Sequence, residues 1–210
     1  YQDLIINFGV DKIIAVSEEL KRRILRRGII EQKKVSVITP GVDTKNFSPS
    51  PNKDNAKSKL GIPKQNLVIT IAARFDPIKD HMTFLKAMKI VAREIPNITV
   101  LIAQDPKINL EDANTFAPQV KKDIDLFLKN NKDVADKVIF TGYQKNIAPI
   151  YHATDILVSS SLYESLGMIL MEAASSGLPI VSTNKDGQYL IVKEGKTGSL
   201  VPIQDPKSMA

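Results

Sequence analysis

The sequence predicts an α/β domain built on a parallel sheet with helices on both faces. Three observations lead there. Short apolar runs alternate with amphipathic stretches at helical spacing through most of the chain. Runs such as residues 67–72 and 98–102 are apolar almost throughout, as strands covered on both faces require. Charged residues follow two of these runs, at the strand carboxyl ends where open parallel sheets hold ligands.

Residues 12–16 read as a strand, and Ser17 as the N-cap of a helix with Glu18 and Glu19 in its first turn and arginines towards its end. Gly28 stops that helix, and residues 35–38 form a second strand. Residues 47–66, rich in Pro, Lys, Asn and Ser, read as a linker around one short helix near Lys57. Regular alternation starts at Leu67. A strand over 67–72 leads to a helix over 80–94, where Phe84, Leu85, Met88 and Val91 keep helical spacing and Pro96 closes the element. Strands follow at 98–102, 138–140, 156–158, 179–182 and 199–201. Helices at 119–130, 147–151, 168–175 and 187–192 separate them, and Pro206 opens another.

A chain of 210 residues holds one large domain, or one domain with an attached piece, and can bury an ordinary core. Its 43% hydrophobic and 25% charged residues are normal for a soluble globular protein. No apolar run approaches membrane-spanning length and nothing resembles a signal peptide. Without cysteine, disulfides and thiolate metal sites are excluded; His81 and His152 are too few to argue for zinc. A cytoplasmic location is expected. The net charge of +6 is compatible with nucleic acid, membrane or phosphorylated partners. Lys21, Arg22, Arg23, Arg26 and Arg27 cluster, but no aromatics interleave them, so a solvated helix face is favoured over a nucleic-acid surface.

The chemistry concentrates in two places. Glu164 lies on a loop after the strand at 156–158, and Glu172 lies about one turn inside the following helix. Gly167 and the free N–H groups of that helix start lie between them, where anions bind well. Donors for phosphate beside carboxylates for hydroxyls suit a nucleotide sugar. Arg74 ends the strand at 67–72 and Lys79 begins the next helix, so both are placed to hold a pyrophosphate. No G-x-G-x-x-G follows a strand, and neither a Walker A sequence nor a G-x-S-x-G elbow is present.

Four stretches together resemble the retaining GT-B glycosyltransferases called group 1, or family 4. They are Ala15-Val16-Ser17-Glu18-Glu19-Leu20-Lys21; Thr39-Pro40-Gly41-Val42-Asp43 with Phe47 and Pro49; Arg74 to Lys79; and Glu164 to Glu172. The last continues through Gly177-Leu178-Pro179-Ile180-Val181-Ser182-Thr183 and Gly195-Lys196-Thr197-Gly198-Ser199-Leu200-Val201-Pro202. The resemblance implies two Rossmann-like domains facing each other across a cleft, of which this chain holds the donor half. It implies that Arg74 and Lys79 contact the donor pyrophosphate and that Glu164 binds hydroxyls of the transferred sugar as the catalytic residue. Glu172 would accept from the ribose hydroxyls. Backbone around Gly167, Met168 and Ile169 would meet phosphate and sugar, and the base would lie near Gly142 and Tyr143.

No cofactor or metal is implied, since Arg, Lys and a helix N-terminus neutralise the leaving diphosphate. Residues 1–46 would be the tail of an amino-terminal acceptor domain plus interdomain segment, and residues 47–210 the donor domain, cut at its C-terminus. Catalysis needs both halves to close, so the chain is expected to be inactive alone. The implied partners are a nucleotide sugar and, through the other domain, an acceptor glycan, lipid or small molecule. Peripheral membrane contact of a full-length protein is compatible with this, and a nucleic-acid partner is not expected.

Three departures from the family pattern bear on the donor pocket. Ala73 precedes the Arg where glycine is usual, Gln104-Asp105-Pro106 replaces a glycine-rich turn, and Asp186-Gly187-Gln188-Tyr189-Leu190 replaces a glycine pair with a downstream glutamate. Two alternatives stay open: an epimerase or phosphorylase on the same fold, and a non-catalytic module whose basic helix meets an anionic surface.

Overall fold

The computed structural model describes residues 9–104 and 116–210. It has two parallel sheets. The smaller pairs β1 (Ile13–Ala15) with β2 (Val35–Val37), linked by α1 (Glu18–Leu25). Ser17 caps α1 as expected, its Oγ accepting from the Leu20 N–H at 3.2 Å. Next comes α2 (Lys53–Lys59), the short helix expected near Lys57.

The larger sheet contains β3 (Leu67–Ile71), β4 (Ile98–Ile102), β5 (Val138–Phe140), β6 (Ile156–Ser159), β7 (Ile180–Thr183) and β8 (Gly198–Val201). Its order is β5-β4-β3-β6-β7-β8, every pair parallel. The chain thus winds outward from β3 in one direction, returns, and winds outward from β6 in the other. This is the doubly wound Rossmann order, and the reversal between β3 and β6 is its switch point.

The connecting helices are α3 (His81–Glu94), α4 (Ala117–Asn130), α5 (Lys132–Ala135), α6 (Ala148–Ala153), α7 (Met168–Ser175), α8 (Gln188–Ile191) and α9 (Pro206–Met209). Asp80 is not the first residue of α3 but its N-cap, in the left-handed region at φ 44°, accepting from the Thr83 N–H. The α4 helix begins two residues earlier than its apolar pattern indicates, with Pro in its first turn.

Side-chain alternation explains the layers. Ile69, Ile71, Val100, Ile102 and Val158 pack with α3, α4, α5 and α9 in one core. Their strand neighbours face the other way: Leu157 and Ile180 meet Tyr151 of α6 and Leu170 of α7, while Val68 and Leu101 meet Ile150 of α6. Each residue step along a strand reverses the face, so both faces must be apolar. Leu101, Leu157 and Ile180 are fully buried. At about 25 cal/mol per Å², each such side chain contributes roughly 1.5–3 kcal/mol of burial.

Asp155 anchors the linker helix to the larger sheet. It accepts from Lys53 at 2.8 Å, Lys57 at 2.7 Å and the Val68 N–H at 2.9 Å. The Lys57 ammonium also donates to the Asn66 carbonyl at 2.8 Å. Lys57, expected on a short helix within a linker, is therefore buried.

Candidate functional site

Two loops meet over the switch point. After β3 the chain passes Arg74 and enters a 3-10 turn at Pro77–Lys79. Pro77 presets the turn, and Asp76 caps it by accepting from the Ile78 N–H at 3.0 Å. After β6, the Ser160 hydroxyl donates to the Lys79 carbonyl and the Leu162 N–H to the Ile78 carbonyl, both at 2.8 Å. These contacts to the main chain of the 3-10 turn fix the loops together. The Lys79 ammonium then donates to Glu164 Oε1, and the Ser161 hydroxyl donates to the same oxygen at 3.1 Å. The side chains of Lys79 and Glu164 are only 18% and 14% exposed. A pair so shielded keeps its electrostatics from being damped by solvent.

Gly167 caps α7 at φ 84°, where a Cβ would stand 2.9 Å from Leu170 Cδ1, so both backbone and space favour glycine. Its carbonyl accepts from the Leu170 N–H at 2.9 Å. The Met168 and Ile169 N–H groups lie in the first turn, which has no intrahelical acceptor for them. Lys79, Glu164, Gly167, Met168 and Ile169 line one cleft of about 290 Å³, with Val16 and Pro40 on its opposite wall.

The remaining expected site residues stand further out. Arg74 reaches back to Asp76 Oδ2, at 3.0 Å from its terminal nitrogen, and its side chain is 73% exposed. Glu172 accepts from the Tyr151 hydroxyl at 3.1 Å. Burial raises the Glu172 carboxyl above the usual range, against the lowering effect of the Tyr151 bond. Burial, with the Glu172 charge beside it, pushes the Tyr151 phenol upward too. Neither Arg74 nor Glu172 lines the cleft that holds Lys79 and Glu164. Gly142, at φ 75°, and exposed Tyr143 follow β5, two strands from β3 on the same carboxyl edge.

Ser161, Tyr151 and Gln188 complete the surroundings; Gln188 was noted in the sequence only as part of an unusual turn, and the other two were not singled out as site residues. Buried Gln188 donates to the Ser161 carbonyl at 3.3 Å and accepts from the Ser159 hydroxyl at 3.0 Å. It thereby braces the peptide whose hydroxyl touches Glu164. The signal for Ser161 was the run Ser159-Ser160-Ser161 at the end of β6, and for Gln188 its place in the unusual turn at 186–190. Of the unusual turn at Gln104-Asp105-Pro106, only Gln104 is among the described residues. Among the described residues no group of His, Asp and Glu is arranged to hold a metal ion, and no helix is long and apolar enough to cross a membrane.

A parallel sheet in this order, with a cation and a carboxylate at its switch point and a helix N-terminus beside them, defines one half of a GT-B glycosyltransferase. Residues 52–210 match the family model described as Glycosyl transferases group 1, and the chain belongs to that family. It is 27% identical over 197 residues to the UDP-Gal:alpha-D-GlcNAc-diphosphoundecaprenol alpha-1,3-galactosyltransferase of Escherichia coli, covering 92% of this chain and 48% of that protein. It is 29% identical over 208 residues to the D-inositol 3-phosphate glycosyltransferase of Streptomyces avermitilis, covering 96% and 43%.

Among solved structures, Anabaena HepE in complex with UDP and glucose superposes with a TM-score of 0.84 at 21% identity, covering 98% of this chain and 53% of that one. Sucrose-phosphate synthase from Thermosynechococcus elongatus gives 0.81 at 25% identity, covering 99% and 49%. The chain spans about half the length of these proteins.

Proposed function

We propose that this chain is the donor-binding half of a retaining glycosyltransferase that moves a sugar from a nucleoside-diphosphate sugar to an acceptor hydroxyl. The observation that carries it is the shielded Lys79–Glu164 pair beside the N-terminus of α7 at the switch point. A diphosphate finds Lys79 and the first-turn N–H groups there, with Arg74 able to swing from Asp76, while hydroxyls of the sugar find Glu164. As charge develops on the leaving diphosphate, those fixed donors stabilise it with little reorganisation. Glu164 is the catalytic residue, orienting the sugar by its hydroxyls. Glu172 takes the ribose, and the base lies by Gly142 and Tyr143.

UDP is the proposed nucleotide, since HepE binds UDP and the Escherichia coli relative is named for UDP-Gal. Both named relatives act on phosphorylated acceptors, so a phosphorylated acceptor is proposed for the whole protein. Residues 1–46 are assigned to the acceptor side and residues 47–210 to the donor domain, working in the cytoplasm.

Calorimetric titration with UDP and uridine tests the donor site. Lys79→Ala is expected to weaken UDP binding by about 1.5–3 kcal/mol, the range for a hydrogen bond to a charged group, and to leave uridine affinity unchanged. Equal losses for both ligands would make Lys79 a support of the fold instead.

A further inference from the structure

The peptide that carries Glu164 has a cavity on each side. Glu164 and Ser165 line the donor cleft, whereas Leu162 and Tyr163 line a second groove of about 390 Å³. The opposite wall of this groove is α1, through Glu19, Arg23 and Arg26, and the turn after β7 adds Lys185 and Asp186. The Arg23 guanidinium lies over the Tyr163 ring, 4.3 Å from its centroid. The ring face attracts that cation, and both side chains line the groove. Arg26 follows at i+3, so the helix period sets both guanidinium groups on one face.

The two carboxylates of the groove do not cancel these charges. Glu19 is paired with Arg22 at 2.7 Å. Asp186 sits at φ 51° on the turn, and among the described residues no carboxylate forms an ion pair with Arg23, Arg26 or Lys185. Three cations therefore face one uncommitted carboxylate, beside a rigid aromatic surface. Ser17 fixes α1 against this peptide, its hydroxyl donating to the Ser165 carbonyl at 2.7 Å. Groove and donor cleft are thus held in register through a single strand of backbone.

We propose that this groove binds the phosphate of a phosphorylated acceptor and so delivers the acceptor next to Glu164, an assignment that rests on the donor site proposed above. Paired guanidinium forks match the oxygens of a phosphate monoester or diphosphate, and Lys185 adds a mobile point charge. A solvated basic helix face would not need the Tyr163 stack or the enclosing turn at Lys185. A soluble polyol phosphate and a lipid-linked phosphate present the same oxygens to the groove, and the two are separated by experiment.

The chain saturated with UDP, so that donor diphosphate sites are filled, is titrated with glycerol 3-phosphate by calorimetry and with phosphatidic-acid vesicles by co-sedimentation. Glycerol 3-phosphate is expected to bind, and the double variant R23Q/R26Q to weaken it by about tenfold or more while UDP affinity holds. Vesicle binding lost in the same variant would add a membrane-borne phosphate as a source. Should the double variant not fold, Arg23→Lys and Lys185→Gln decide the matter, each losing binding in part, the first because an ammonium lacks the planar fork. The proposal is overturned if wild-type chain takes up no glycerol 3-phosphate, if the variants bind it equally, or if RNA binds where the phosphate monoester does not. Failure of wild-type chain to bind UDP would overturn the donor site instead.

Discussion

Both ring nitrogens of His81 are buried without a hydrogen-bond partner; the Ala73 backbone lies near the ring but outside bonding geometry. Phe75 meets the ring edge-on, with centroids 5.3 Å apart. Burial, reinforced by the Lys79 charge, lowers the imidazole to about 4. The unfolded chain takes up this proton near pH 6.5 and the folded chain does not, so stability is lost as pH falls from 6.5 towards 4. The loss through this residue should reach about 3 kcal/mol, measured by urea unfolding across that window. His81→Phe should flatten the slope while changing stability little at pH 7, since an apolar group of similar shape replaces an unpaired polar one. An unchanged slope would show that another group titrates. Glu172 titrates in the opposite sense. Its raised carboxyl protonates at higher pH than an ordinary glutamate, so uridine affinity should fall on acidification before ordinary carboxylates are protonated. Glu172→Gln should bind uridine less well and without that pH dependence, because the amide keeps one acceptor oxygen. A Gln variant with wild-type affinity would remove Glu172 from the site. The sequence made Glu172 visible through its spacing from Glu164. Its partner Tyr151 was hidden, because contact across 21 residues and two elements leaves no local pattern.

At the scale of elements, strands and helices were legible because burial on both faces writes continuous apolar runs, and a cap such as Ser17 has local chemistry. The tether of α2 was not legible. Lys53 and Lys57 sit in a polar stretch, and their partner Asp155 lies about a hundred residues on. Burial alone would raise Asp155, yet its bonds to Lys53, Lys57 and the Val68 N–H outweigh that and lower it. Neutralising Asp155 leaves the Lys57 charge buried without its counter-ion, so Asp155→Asn should destabilise by about 2–4 kcal/mol, seen as a lower thermal midpoint. A shift of less than a degree would mean that α2 holds by packing alone. The turn at Gly187 controls the site more directly. Its N–H donates to the Glu164 carbonyl at 3.0 Å, and a Cβ there would stand 2.7 Å from the Ser165 carbonyl oxygen. Main-chain atoms of a braced loop cannot yield as a side-chain tip can. Gly187→Ala should therefore lower UDP affinity and cost about 2–3 kcal/mol of stability. Full affinity in that variant would show that the Glu164 loop moves freely. Gly187 was noted in sequence only as part of an unusual turn, and its packing role required the tertiary structure.

For the whole molecule, alternation of strands and helices indicated a parallel sheet but not its order, since each buried strand carries the same kind of apolar run. The order is a long-range property, and it puts the reversal between β3 and β6, where Lys79 and Glu164 meet. The contacts proposed for the donor all lie in this half: the first turn of α7, Lys79 and the two carboxylates belong to the larger sheet, its loops and its helices. Transfer needs more. An acceptor hydroxyl must be held in line with the sugar while water is excluded, and effective molarity of that kind comes from closing a second surface over the first. In proteins about twice as long, that surface has room to be a second domain. The 210-residue chain should accordingly bind UDP and its sugars with a saturable calorimetric signal, yet release no UDP from UDP-glucose faster than a Glu164→Gln control when offered glycerol 3-phosphate. Its binding isotherm and a coupled UDP-release assay are read on the same preparation. Turnover well above that control would mean that the groove between α1 and the Glu164 peptide already positions an acceptor, and that transfer does not depend on a facing domain.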